Sequence, residues 1–150
     1  MLRLAYAPVW IVASLLLVAA VIYGSLATFG SQIEIAGHVD KLEHALVYAF
    51  LAVWFTGLVD RGRYWQVAIA LAALGLALEF TQQAMTLGRV GDPWDMAANV
   101  LGIAVGLAVA ARRSGGWAPK VEAWLNRTRT WGPVSKSGGR SPTACGRRRP

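Results

Sequence analysis

The chain is poor in the residues that most enzyme motifs require. Its single cysteine, Cys145, allows no internal disulfide and no cysteine metal cluster. It has two histidines, His38 and His44, and no HExxH zinc motif: the Glu43-His44 pair has no second histidine four residues away. His38, Asp40, His44 and Glu79 are metal-capable, but their spacing is not that of a metal site, so no metal and no cofactor is expected. P-loop and GxSxG sequences are missing. There is no internal repeat, and a secondary transporter of this size would have to oligomerise.

What the chain has is apolar sequence. Of its 150 residues 55% are hydrophobic, and the mean hydropathy is +0.42. That balance fits a small polytopic membrane protein better than a soluble domain. A spanning helix needs ~20 mostly apolar residues. Four windows qualify, at about 8–28, 42–59, 64–86 and 94–111, the second and fourth only with their polar ends included. The expected fold is all-α: a small four-helix transmembrane bundle over residues 1–111 with a basic tail over 112–150. The first window also looks like a signal peptide, with Arg3 ahead of it and Gly24-Ser25-Leu26-Ala27 behind. Its apolar run exceeds the usual ~7–15 residues, so a retained signal anchor is the reading, with a cleaved signal as the alternative.

Charge is unevenly placed. Residues 1–111 carry five Lys/Arg against seven Asp/Glu, and residues 112–150 carry ten against one. Arg3, Arg61 and Arg63, and Arg112 and Arg113 flank alternate ends of the helices and fall on one side, which should be the cytoplasm. Both termini are then inside. The start of helix 2, the end of helix 3 and the start of helix 4 reach the opposite leaflet together. Trp10, Trp65 and Trp94 sit near helix ends, where interfacial tryptophan is common.

In the tail, Trp117, Trp124 and Trp131 recur every seven residues, with Val121 between them. This predicts an amphipathic helix over about 118–131, its tryptophans toward lipid and Lys120, Arg127 and Arg129 toward headgroups. The Gly-, Ser-, Pro- and Arg-rich sequence after about 133 is expected to be disordered. On a membrane protein such a tail reads as a cytoplasmic anchor for anionic lipid, not as a nucleic-acid binder.

Charged and amide side chains cluster at the outer ends of three helices. Asp40, His44 and Tyr48 share one face of helix 2. Glu79, Gln82, Gln83 and Thr86 share one face of helix 3, and Asp95, Asn99, Gly102 and Gly106 one face of helix 4. Lipid cannot satisfy such stripes, so they should turn inward and meet. Gly102 and Gly106 form a GxxxG pair that permits close backbone approach.

These runs resemble the VanZ-like membrane proteins over about residues 37–110. The resemblance is carried by Asp40-Lys41 with His44 and Tyr48, by Glu79 with Gln82, and by Arg89 with Asp95, Asn99, Gly102 and Gly106. It implies a multipass protein of the bacterial inner membrane, linked to the cell envelope or to glycopeptide resistance. It implies no reaction, and it leaves the basic, tryptophan-containing tail unexplained.

Two readings of the polar residues stand side by side. In one, Asp40, His44, Glu79, Gln82, Arg89, Asp95 and Asn99 line an outer-leaflet pocket with Lys41 and Tyr48 at its rim. Carboxylates and a histidine suit acid–base work if their environments differ, and Lys41 and Arg89 suit an anionic headgroup. Membrane lipid, a lipid-linked wall precursor or a lipopeptide would be the ligand. In the other, the same groups form a scaffold that fixes a partner-binding protein. Individual roles can also be modest: Asp40 as the N-cap of helix 2, Lys41 snorkelling, Glu43 solvated, Tyr48 interfacial, and Asp92 as an N-cap before Pro93.

Overall fold

A computed structural model describes residues 2, 4–27, 37–84, 93–114 and 116–129. The described residues form five α-helices and no strand. They are α1 (Ala7–Leu26), α2 (Gly37–Leu58), α3 (Tyr64–Ala84), α4 (Pro93–Val109) and α5 (Trp117–Arg129). A 3₁₀ turn, Arg61–Arg63, joins α2 to α3, and a π-helical turn, Ala110–Ser114, follows α4. Three stretches are long and apolar enough to cross a membrane: Ala7–Leu26, Arg61–Ala84 and Trp94–Arg112. α2 has 22 residues, about 33 Å at 1.5 Å per residue, and carries Asp40, Lys41 and Glu43 in its first two turns.

α2 begins at Gly37, five residues before the expected window. Asp40 therefore lies inside the first turn and is not the N-cap. α3 starts where expected, at Tyr64, because Asp60 is extended and the 3₁₀ turn reverses the chain within three residues. The segment proposed to be disordered after 133 lies outside the described residues, as does Trp131.

α2 and α4 form the centre of the molecule. They run parallel, and contacts advance in step along both helices: Lys41 to Asp95, His44 to Asn99, Ala45 to Gly102 and Ala49 to Gly106. Two glycines make this possible. A Cβ at Gly102 would run into the Ala45 carbonyl group, and one at Gly106 would lie 2.7 Å from the Ala52 Cβ. Lipid tails are as apolar as leucine, so helices in a bilayer associate through such packing and through polar contacts. Tyr48, Leu51, Ala52, Val67, Leu71 and Ile103 complete the core. Thr56, fully buried, donates to the Ala52 carbonyl at 2.6 Å and so needs no partner from another helix.

α1 has no buried residue and lies on the outside of the bundle. Polar clips hold it along its length. The Trp54 indole donates to Ser14 Oγ at 3.0 Å, and Gln82 Nε2 donates to the Ser25 carbonyl at 2.7 Å.

Candidate functional site

The N-terminal ends of α2 and α4 and the C-terminal half of α3 meet at one end of the bundle. Lys41 Nζ stands 3.6 Å from Asp95 Oδ1, an ion pair too long for a hydrogen bond. Asp95 lies in the first turn of α4, where a carboxylate also complements the helix dipole. One turn further in, His44 Nδ1 lies 3.2 Å from Asn99 Oδ1. A carbonyl oxygen only accepts, so in this geometry the ring donates from Nδ1.

α3 closes the cluster through Gly75. A Cβ there would lie 3.0 Å from Tyr48 Oη and 3.1 Å from Asn99 Nδ2. The glycine thus admits the phenol and the amide to the α3 backbone. One turn on, Glu79 is half-buried. Tyr48 is 3% exposed, and its hydroxyl has no hydrogen-bond partner among the described residues. Asp95 Oδ1 is also buried without a hydrogen bond. Buried polar atoms normally find partners, so each such atom calls for an explanation.

Of the residues selected from sequence, Lys41, His44, Tyr48, Asp95 and Asn99 belong to this cluster, and Glu79 stands one turn beyond Gly75 on α3. Tyr48 sits at its inner face and not at its rim. Gln82 is buried but serves a different contact, donating to Ser25 Oγ at 3.0 Å as well as to the Ser25 carbonyl. Asp40 lies in α2, and its side chain, like all of Arg89, falls outside the described residues. Among the described residues, no three His, Cys, Asp or Glu side chains gather as a metal-binding group. Gly75 was not singled out from sequence, although an isolated glycine inside a helical run often has a packing reason.

The other end of the bundle departs from the expected tryptophan stripe. Trp117 does not share the exposure of Trp124. Its indole donates to the Val53 carbonyl at 3.0 Å and occupies the space that a Gly57 side chain would need. It packs edge-on against Trp10, with ring centroids 5.4 Å apart, and against Trp54 at the same distance. Trp124 is 63% exposed. The stripe divides because sequence periodicity marks an apolar face without saying which of its residues the bundle covers.

Glu122, the one acid in the tail, is buried against the start of α1. It accepts the Ala5 and Tyr6 backbone N–H groups at 2.8 and 2.9 Å and the Trp10 indole at 2.8 Å. α1 has no side-chain cap of its own, so a residue of α5 satisfies N–H groups at its start. Burial pushes the Glu122 carboxyl upward, but hydrogen bonds from Tyr6, Ala5 and Trp10 outweigh it and hold the group below its ordinary value. Tyr6 Oη adds a 3.0 Å bond to Asn126. Set against family models, curated proteins and solved structures, the chain matches none of them.

Proposed function

We propose that this chain is a four-span membrane protein of the VanZ-like type, resident in the bacterial inner membrane with both termini in the cytoplasm. Its polar cluster faces the outer leaflet and binds an anionic ligand of the cell envelope. Support for the orientation comes from Arg61, Arg63 and Arg112, all exposed and all at the end opposite the cluster. α2, central to the packing, is the fourth span. Its charged first turns reach the outer surface.

The observation that carries the binding reading is two buried oxygens without a hydrogen bond: Tyr48 Oη, and Asp95 Oδ1, which has only its 3.6 Å ion pair to Lys41. Polar groups left so at membrane depth point to function. The preference for an anion follows from Lys41 and from two helix N-termini, those of α2 and α4, brought to the same end. A lipid-linked wall precursor or an acidic lipopeptide fits that chemistry. One observation favours a scaffold instead: Gly75 is closed upon by Tyr48 and Asn99, as in a packed seam.

The test is binding of a polyprenyl-pyrophosphate-linked wall precursor to the full chain in nanodiscs. Saturable binding that weakens at least about tenfold in Lys41→Gln supports the reading, a loss of the size expected for a charge-assisted contact. Equal binding by both proteins, or none by either, rejects it in favour of the scaffold.

A further inference from the structure

We infer that the outward face of α5 is a docking surface for anionic phospholipid headgroups, held in a fixed place by the inward face of the same helix. The inward face is the one described above: Trp117 against Gly57, Ala118 fully buried, and Glu122 on the start of α1. Lys120, Trp124 and Arg127, at spacings of four and three residues, lie across the helix from Ala118 and Glu122, and all three are exposed. Leu125 at the margin is 38% exposed.

The position of Glu122 determines the charge of that surface. Helical spacing sets it across the helix from Lys120 and Arg127, on the buried side. Its charge is taken up by the N–H groups of Ala5 and Tyr6. What α5 presents outward is therefore basic and aromatic, with no acid among its described residues. Arg61, Arg63 and Arg112 are exposed at the same end, and Arg61 is fixed there by a 2.9 Å bond to the Ala111 carbonyl.

The occupant follows from chemistry and location. An indole between two cations suits the headgroup boundary of a bilayer, where the ring is half-immersed and the cations meet phosphate. The surface sits at the end of helices long enough to cross a bilayer, so lipid is adjacent to it. The basic residues prefer anionic over zwitterionic headgroups. Of the reading proposed above, this inference needs only the bilayer; it does not depend on the outer polar cluster or its ligand.

The test uses the full chain in vesicles whose acyl chains are brominated, made either of phosphatidylcholine alone or of an equal mixture with phosphatidylglycerol. Subtracting the fluorescence of Trp124→Phe from that of wild type isolates Trp124. Quenching of Trp124 should be roughly twofold greater with phosphatidylglycerol, and the excess should fall at high salt as charges are screened. It should also fall in Lys120→Gln/Arg127→Gln. Both leaflets have the same composition, so the direction of insertion does not affect the result. Equal quenching in the two vesicles overturns the proposal. So does quenching by aqueous acrylamide in both, which would mean a water-facing surface, or protection from both quenchers, which would mean that protein covers Trp124.

Discussion

His44 of α2 and Asn99 of α4 meet at 3.2 Å, one turn below the Lys41–Asp95 pair, and so place two parallel helices in a single register. Below them the Gly102 and Gly106 contacts continue the same seam. Polar register and backbone approach thus reinforce each other. A slide of one turn would part His44 from Asn99 and drive Gly102 off the Ala45 carbonyl.

The seam makes a sharp prediction for its glycines. Gly102→Leu or Gly106→Val should destabilise the protein by about 1–3 kcal/mol or more, the usual cost of overpacking a close contact. Gly24, in α1, has nothing within 4 Å of a built Cβ. Gly24→Ala should be neutral or stabilising by up to about 1 kcal/mol, because alanine is the better helix former. Thermal unfolding of the purified protein in one detergent checks both.

Two tryptophans of the tail helix should behave very differently. Trp117→Ala removes an indole packed on Trp10, Trp54 and Gly57 together with its bond to Val53, and should cost about 3 kcal/mol. α5 would then lose its amide-exchange protection. Trp124→Ala, at a position 63% exposed, should change stability by no more than about 0.5 kcal/mol.

Docking of α5 should depend on pH with a definite sign. The Glu122 carboxyl is held below its ordinary value of 4.5: burial opposes this, and the bonds from Tyr6, Ala5 and Trp10 prevail. A depressed carboxyl contributes stability that is complete above the unfolded value and is lost as pH falls through the lower, folded one. The amide protection factors of α5 should therefore be flat above about pH 5 and fall in acid. Glu122→Gln should show weaker protection at neutral pH and lose the acid step.

Much of this architecture is legible in the sequence. The apolar runs mark α1, α3 and α4 to within a few residues, since length and composition alone define a spanning helix. The polar stripes of α2 and α4 point at each other, and His44 meets Asn99 where they face. Face does not specify neighbour, however. Gln82 lies on the Glu79 face, yet it turns to α1 and bonds Ser25. Glu122 appears in sequence as one acid among ten basic residues. Nothing local links it to Ala5 and Tyr6, more than a hundred residues away. Gly75 is equally silent, since its role exists only once Tyr48 and Asn99 arrive from other helices.

The central claim is that the outer cluster serves a ligand and is not merely a brace. The most direct measurement compares Asp95→Asn and Glu79→Gln with wild type for membrane abundance, thermal stability and tolerance to a glycopeptide antibiotic in a bacterial host. Both changes keep side-chain shape and remove charge. The account predicts that abundance is unchanged, that stability falls by less than about 1 kcal/mol, in line with typical polar contacts within membranes, and that tolerance is lost. Tolerance that declines only in proportion to the amount of folded protein would contradict it and leave the cluster as scaffold.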